Sequence, residues 1–271
     1  MSENNFWSDW LKISRKKNTL LCAGLDLSPD FKKHLANRSA DILTWSQNYL
    51  EAIAPYAAAV KVNLGYWNEP GDKGVLKHII RRMKKLDLLP IADSKIADLG
   101  FTNDAWLHSY EQLGFAAVTL APYAGNIEES VHLAHKRNLA AITMGLMSNA
   151  EYRTEMNFQN AAGEKLWETR VKRSLIAGAD GLVVGGTYPA DEPELQQLAK
   201  LTGNKSVFYL VPGIGVQGGD IKELVRAGID IKRCIINIGR DLMFPQGFDS
   251  TPREQLLAAK RWQKIFQLVD C

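Results

Sequence analysis

The sequence predicts an α/β protein of the (β/α)8 class, a TIM barrel that occupies residues 1–271 as a single domain. Eight short apolar runs alternate with segments of helical periodicity, from about Leu20 to the C-terminus. No linker interrupts this alternation, and the 271 residues suit one barrel. Regular alternation implies parallel strands joined by right-handed crossovers. An open doubly wound sheet shows the same alternation, but eight units favour closure into a barrel.

The strands are predicted where short apolar runs rich in β-branched residues occur. In chain order they are Leu20–Leu27, Ala58–Leu64, Leu89–Ile96, Ala116–Ala121, Ala140–Gly145, Gly181–Gly185, Val207–Pro212 and Cys234–Ile238. The helices between and after them are Asp41–Ile53, Gly74–Leu86, Asn103–Leu113, Ile127–Arg137, Glu164–Ala177, Glu194–Leu201, Asp220–Ala227 and Pro252–Val269.

Features outside these repeats complete the predicted architecture. Gly114, Gly178 and Gly228 each end a helical stretch, as C-terminal caps do. An extra amphipathic helix, Phe6–Lys17, precedes the first strand and is expected to pack against the amino-terminal opening of the barrel. The longest irregular stretch is 148–163, and long loops after barrel strands are usually functional.

Composition excludes several classes of partner. The net charge of +3, without basic runs interleaved with aromatic residues, gives no indication of nucleic-acid binding. No stretch approaches the roughly 18 apolar residues of a membrane span, and the polar first ten residues are unlike a signal peptide. The three cysteines lack a CxxC motif, and the histidines lack the spacing of a metal site, so we expect a cytoplasmic protein without metal.

Polar and charged residues collect at the ends of the predicted strands. They are Asp26, Lys61, Asp93, Lys95, Ser148, Gln217 and Arg240. The carboxyl ends of barrel strands and the loops that follow them form the active face of such enzymes. This distribution is typical of a functional site, whereas a solvated surface would place its charges in turns and on outer helices.

The densest group of charges is the segment Asp93-Ser94-Lys95-Ile96-Ala97-Asp98. In an extended strand, residues two apart share a face, so we expect Asp93 and Lys95 to face the barrel interior together. Lys61 on the neighbouring strand adds a second cation, and alternating signs would keep the lysine pKa values up. Asp98 lies on the following loop and is free to reach a neighbouring subunit. A purely structural ion-pair network is the alternative interpretation.

A glycine-rich segment, Pro212–Asp220, follows the seventh strand, and Asn237-Ile238-Gly239-Arg240 follows the eighth. Glycines let backbone N–H groups approach an anion closely, and the guanidinium of Arg240 suits phosphate oxygens. Barrels often hold phosphate at these two loops. The alternative is that the glycines serve only tight connections between strand and helix.

Taken together, these motifs resemble those of the orotidine 5'-monophosphate decarboxylase family. The resemblance runs from Leu20 to Arg240. Its most specific part is the DxKxxD string Asp93–Asp98, with Thr102 four residues later. It also rests on Leu25-Asp26, Lys61, Met147-Ser148 and the two predicted phosphate segments, Pro212–Asp220 and Gly239-Arg240. The resemblance implies decarboxylation of orotidine 5'-monophosphate to UMP in pyrimidine biosynthesis, without metal or cofactor, by a homodimer with shared active sites. Tyr188 departs from the family, which often has a basic residue there.

The resemblance also implies a role for each of these residues. Lys95 would be the general acid that protonates C6, and Asp93 would lie beside the departing carboxylate. Asp26 and Lys61 would hold the ribose hydroxyls and the charge array. Asp98 and Thr102 would be contributed to the site of the partner subunit. Ser148 would contact the pyrimidine edge, and the phosphate would be bound by Gln217, Gly239 and Arg240.

Two other functions compete with this interpretation. A magnesium-dependent sugar-phosphate decarboxylase or aldolase of the same barrel group reuses the DxKxxD string, but it carries an acidic metal ligand on the second strand, where this chain has Lys61. A non-catalytic nucleotide-binding barrel that partners a phosphoribosyltransferase is the second alternative. The intact set of charges disfavours such a scaffold, because unpaired buried charges are costly.

Overall fold

The computed structural model describes residues 5–188, 191–203, 205–215 and 218–269. Within these ranges eight strands form a closed barrel in sequence order, which confirms the predicted (β/α)8 class. The strands are β1 Leu21–Leu25, β2 Ala59–Asn63, β3 Leu89–Ile96, β4 Ala117–Leu120, β5 Ala140–Leu146, β6 Gly181–Val184, β7 Phe208–Pro212 and β8 Cys234–Ile238. Every predicted strand is confirmed to within two residues at each end.

Helices follow the strands in regular alternation. They are α1 Phe6–Lys17, α2 Pro29–Asn37, α3 Ile42–Ile53, α4 Asp72–Lys85, α5 Gly100–Leu113, α6 Ile127–Lys136, α7 Ala150–Met156, α8 Leu166–Ile176, α9 Pro193–Thr202, α10 Ile221–Arg226, α11 Arg240–Met243 and α12 Pro252–Val269. Gly114, Gly178 and Gly228 have φ values of 96°, 78° and 93°, which confirms the predicted caps. No helix in the described ranges is long and apolar enough to cross a membrane.

Two compact units make up the chain. The first unit contains residues 5–94, 109–117 and 237–269, and the described part of the second contains 95–108, 118–188, 191–203, 205–215 and 218–236. Strand pairing is parallel within each unit: β1 pairs with β2 in the first, and β5, β6 and β7 pair in order in the second. That residues 1–271 form a single domain stays a prediction.

The first unit is built around aromatic packing and around the end of α1. Phe31 of α2 packs against Trp45 of α3 and Phe244 after α11, with ring centroids 4.7 and 4.6 Å apart. Lys17 Nζ, at the end of α1, donates hydrogen bonds to the carbonyls of Ala57 and Leu86. These carbonyls precede β2 and β3, so α1 packs at the amino-terminal ends of strands, as expected.

Three short helices were not predicted from the sequence. The prediction of an irregular 148–163 stretch is wrong over α7, which is held by a 2.5 Å hydrogen bond from Tyr152 Oη to the Gly145 carbonyl and by the buried side chain of Met156. The nine-residue α2 begins with a Ser28 cap on the Phe31 N–H, and α11 has four residues. Helices this short depend on tertiary contacts, because isolated helices of their length are unstable in water.

Candidate active site

A buried ion pair joins β2 to β3 in the first unit. Lys61 is 6% exposed and Asp93 is 7% exposed, and Lys61 Nζ donates a hydrogen bond to Asp93 Oδ2. The strands are paired so that Asn63 lies opposite Asp93. Burial acts to lower the pKa of Lys61, but the charges of Asp93 and Asp26 outweigh it and place that pKa above its ordinary value. Lys61 is therefore an ammonium ion at neutral pH, as the sequence predicted.

Asp26 lies directly after β1, close to the end of β8. A Cβ atom on Gly24 would lie 2.8 Å from the Cα of Gly239, so the absence of a side chain lets the two strands approach. A Cβ on Gly239 would lie 3.5 Å from Asp26 Oδ2. The backbone N–H of Asp26 also contacts the sulfur of Met243 at 3.3 Å, in the short helix α11.

Arg240 is the first residue of α11 and is exposed to solvent. No carboxylate in the described part of the chain pairs with its guanidinium group. The helix itself is held in place by Gln255, whose side-chain amide donates to the Met243 carbonyl at 2.9 Å, and by the packing of Phe244 against Phe31. A rigid frame thus presents a guanidinium group that is available to bind an anion.

Lys95 has an unusual backbone conformation, with a φ of 49°. The other described non-glycine residues with positive φ all follow helices; they are Asn18, Ser39, Asp87 and Asn138. Lys95 instead lies inside β3, and its N–H donates to Thr119 Oγ1 at 3.0 Å. Left-handed backbone in a residue other than glycine costs energy and concentrates at functional sites.

Asp93 and Lys95, which were expected to face the barrel interior together, differ in their exposure. Asp93 is buried, whereas Lys95 is exposed. Two-residue alternation holds only while the backbone stays extended, and the positive φ at Lys95 interrupts it.

Asp98 is exposed, as predicted, and its backbone is held by Asn103. The Asp98 N–H donates to Asn103 Oδ1 at 3.1 Å, and the Asn103 amide donates to the Asp98 carbonyl at 2.7 Å. Asn103 is fully buried, so this pair of hydrogen bonds fixes the loop after β3. Thr102 lies in the first turn of α5, which begins three residues earlier than predicted.

Ser148 follows β5 and meets the loop after β6. Thr187 Oγ1 donates to Ser148 Oγ at 2.5 Å. The loops approach this closely because position 185 is glycine: a Cβ there would lie 2.5 Å from Ser148 Oγ. The hydroxyl of Tyr188 donates to the Met147 carbonyl at 2.5 Å, and the Arg153 guanidinium lies 4.4 Å from the Tyr188 ring centre.

The glycine-rich segment after β7 is a compact turn in its described parts. Gly213, Gly215 and Gly218 have φ values of 94°, 98° and 86°, which only glycine adopts readily. Gly186 donates from its N–H to the Pro212 carbonyl at 2.7 Å, so the loops after β6 and β7 touch backbone to backbone. Gln217 was predicted to bind substrate, and it lies outside the described residues.

The sequence did not reveal the residues that support these groups. Thr119, Asn103 and Thr187 were given no role. The one usable signal was position, because Thr187 lies in the loop after β6 and Asn103 lies in the first turn of α5, soon after β3. In the described ranges no cluster of three or more His, Cys, Asp or Glu side chains is arranged to hold a metal ion.

Comparison with known proteins agrees with this geometry. The family model of the orotidine 5'-phosphate decarboxylase / HUMPS family matches residues 19–244. The orotidine 5'-phosphate decarboxylase of Dechloromonas aromatica is 32% identical over 85% of this chain and 89% of its own. That of Porphyromonas gingivalis is 28% identical over 92% of this chain and 93% of its own.

Solved structures share the fold. A Leishmania donovani UMP synthase has a TM-score of 0.78 at 26% identity; the match covers 97% of this chain but only 56% of that longer one. A Leishmania donovani OMP decarboxylase has a TM-score of 0.74 at 24% identity, over 97% of this chain and 98% of its own. At 24% identity, the similarity to the Leishmania donovani OMP decarboxylase shows only that the two proteins share a fold. With a family model that matches most of its length and a curated relative at 32% identity, this chain belongs to the orotidine 5'-phosphate decarboxylase / HUMPS family.

Proposed function

We propose that this chain decarboxylates orotidine 5'-monophosphate to UMP in pyrimidine biosynthesis, without a metal or cofactor. The observation that carries the proposal is the buried Lys61–Asp93 pair, with Lys95 two residues further along β3 in a strained backbone conformation. The 32% identical relative from Dechloromonas aromatica bears the name of this activity.

Lys95 is proposed to be the catalytic acid. When the bond between C6 and the carboxylate breaks, its electron pair stays on C6 in an sp2 orbital that the ring cannot delocalise. A nearby ammonium group stabilises that charge and then donates its proton to C6, leaving a neutral amine that solvent reprotonates. The exposure of Lys95 suits both steps, because the ammonium group can reach substrate and water.

Lys61 has a different role in the proposal. Its pKa is raised by Asp93 and Asp26, so it holds its proton more firmly than an ordinary lysine. It is therefore a poor proton donor and a good fixed counter-ion, which orients Asp93 beside the substrate carboxylate. Asp26 is proposed to bind the ribose hydroxyls together with Lys61.

The phosphate is proposed to bind Gly239, Arg240 and Gln217. The exposed Arg240, without a carboxylate partner in the described ranges, supports this assignment. Positive φ values at Gly213, Gly215 and Gly218 support a loop in which backbone N–H groups approach an anion. Binding energy from a phosphate far from C6 can be used to fix the geometry at the reacting carbon.

A homodimer with shared active sites is proposed from the surface that follows Asp98. Leu99, Phe101 and Trp106 are 54%, 79% and 53% exposed, and Thr102 lies among them. Contiguous exposed apolar side chains mark protein–protein contact sites. If a second copy of this chain packs against this apolar surface, Asp98 and Thr102 of the first copy would lie near the active site of the second. The buried free thiols of Cys22 and Cys234 suit the cytoplasmic location that we propose.

The magnesium-dependent sugar-phosphate decarboxylase or aldolase is the nearest rival function. Its acidic ligand on the second strand is replaced here by Lys61, whose ammonium group repels a divalent cation. The partner of a phosphoribosyltransferase remains the other alternative, and co-purification of such an enzyme would favour it.

The deciding experiment follows ultraviolet absorbance while the purified protein is incubated with orotidine 5'-monophosphate and EDTA. We expect turnover in EDTA; activity that EDTA abolishes and Mg2+ restores would favour the rival. Lys95→Ala should abolish turnover while UMP binding persists, and Lys16→Ala, at an exposed lysine paired with Asp87, is the matched control. Substantial residual turnover in Lys95→Ala would remove the proton-donor role.

A further inference from the structure

A cavity of about 190 Å³ lies where β5 meets three helices of the second unit. Helices α6, α7 and α8 each supply part of its wall, and the loops after β4 and β5 supply the rest. None of its lining residues is among those proposed above to bind substrate or to take part in the reaction. Tyr123, which is 79% exposed, belongs to the wall, so the cavity opens to solvent.

The wall of this cavity is mainly apolar and contains three methionines. Its largest apolar and aromatic side chains are Tyr123, Ile127, Met144, Met147, Tyr152 and Met156. An apolar cavity of about 150 Å³ can hold a benzene ring, so this one has room for a single aromatic ring with a small substituent. Methionine sulfur makes favourable contacts with aromatic rings, and the flexible methionine side chain adapts to the shape of a ligand. The lining therefore favours an aromatic compound with one ring.

One buried hydroxyl group in the wall has no partner. Thr143 is 1% exposed, and its Oγ1 forms no hydrogen bond with any residue that the structure describes. The hydroxyl of Tyr152, by contrast, donates to the Gly145 carbonyl at 2.5 Å. A buried polar atom that stays unpaired costs free energy, so a ligand atom that pairs with Thr143 Oγ1 removes this cost. Thr143 therefore offers a hydrogen bond to a bound molecule.

A guanidinium group without a carboxylate partner lines the same cavity. Lys172 and Arg173, the other two cations of α8, each form an ion pair with a glutamate. No carboxylate in the described ranges pairs with Arg170, which is half-buried. Burial raises the pKa of the Tyr152 hydroxyl, and the positive charge of Arg170 acts against that rise, so the guanidinium group lies near this part of the wall. A guanidinium group that is partly shielded from water binds a carboxylate more strongly than a fully solvated one.

We propose that this cavity binds a small aromatic carboxylate. The ring lies among the methionines, the carboxylate accepts hydrogen bonds from Arg170, and Thr143 Oγ1 donates to an oxygen of the ligand. An uncharged ring of the same size would fill the cavity but would leave the guanidinium group without a counter-ion. The proposed ligand is not the substrate, and its binding does not depend on decarboxylation.

The test titrates benzoate into the full chain and follows binding by calorimetry. We expect a dissociation constant of about 1 mM or lower, and benzyl alcohol, which has the same ring without the charge, should bind at least about tenfold more weakly. Arg170→Gln should weaken benzoate binding by about tenfold, and Thr143→Val, which keeps the shape of the side chain, by about fivefold. Arg226→Gln is the matched control and should bind benzoate like the wild type, because Arg226 is an exposed, ion-paired arginine outside the cavity wall.

Two further measurements locate the bound benzoate. Ala121→Leu adds carbon atoms to the wall and should abolish benzoate binding without changing any charge; Ile127→Phe covers the case in which that variant does not fold. Saturating UMP should leave benzoate binding unchanged, because no lining residue of the cavity is proposed to contact the nucleotide. The proposal would be overturned by a wild type that does not bind benzoate, by equal binding of benzoate and benzyl alcohol, or by Arg170→Gln binding benzoate as tightly as Arg226→Gln. Unchanged binding in both filled variants, or displacement of benzoate by UMP, would overturn it as well. None of these measurements uses turnover, so failure of the proposed function would be seen separately.

Discussion

Replacing Lys61 with methionine should destabilise the fold strongly, because it removes the cation that pairs with the buried carboxylate of Asp93. Both partners are less than a tenth exposed. Removing one partner of a buried ion pair costs about 3–5 kcal/mol, a large part of the roughly 5–15 kcal/mol by which domains are stable. The raised pKa of Lys61 sets the pH range over which the ion pair stabilises the fold. This stabilisation is fully present below pH 10.5, the ordinary pKa of lysine, and it is lost only as the pH rises through the higher pKa of the folded state.

The assay is equilibrium unfolding in urea at neutral pH, followed by circular dichroism. Lys16→Met is the matched control, because the Lys16–Asp87 pair has side chains 67% and 55% exposed and should contribute less than about 1 kcal/mol. The double variant Lys61→Met/Asp93→Asn should recover part of the loss, since it also removes the buried negative charge of Asp93. A Lys61→Met variant as stable as Lys16→Met would refute the reasoning, as would a double variant less stable than Lys61→Met.

Three further predictions concern the site and one surface pair. Arg240→Ala should weaken binding of UMP by about tenfold or more while barely changing binding of uridine, and equal losses for both ligands in calorimetry would contradict the phosphate assignment. Verified heterodimers of Asp98→Ala and Lys95→Ala subunits should regain decarboxylase activity that neither homodimer has; their continued inactivity would argue against shared sites. His135, whose pKa is raised by its hydrogen bond to Asp180, should stabilise the fold below about pH 6.5 and lose this effect as the pH rises through the raised value. In urea unfolding, His135→Gln should therefore lose more stability at about pH 5.5 than at about pH 8.5, by roughly 0.5 kcal/mol, and a pH-independent loss would show that the pair does not titrate as described.

The strands and long helices could be predicted because each depends on a local pattern. The run Cys234–Ile238 is apolar apart from Asn237 and rich in isoleucine, and its bounds, like those of Leu89–Ile96, are confirmed without change. Helix α7 escaped prediction because seven residues carry too little periodicity to be recognised. It forms because Tyr152 and Met156 find partners in the fold, and those partners are not visible in a sequence.

Local sequence patterns predicted the charged residues of the site but not the residues that hold them in place. Lys61 and Asp93 were predicted to pair because strand positions alone bring them together, and the structure confirms the pair. The same alternation predicted that Lys95 faces the barrel interior beside Asp93. Lys95 is exposed, and its left-handed backbone ends the extended geometry of β3 on which that prediction depends. The bond between Ser148 and Thr187 depends on how two loops approach each other, which strand periodicity does not specify.

The charge at position 61 bears on the choice between the proposed function and its magnesium-dependent rival. Asp26 and Asp93 both act on Lys61 and raise its pKa, so one fixed cation already serves two carboxylates. An acidic residue at this position would instead leave three carboxylates, and a divalent cation is what commonly neutralises such a group. In the proposed function, the ammonium group of Lys61 would take the place of a metal in neutralising these carboxylates. The positive charge that acts on the substrate would then come from a second ammonium group, that of Lys95, which would also supply the proton that the proposed reaction requires.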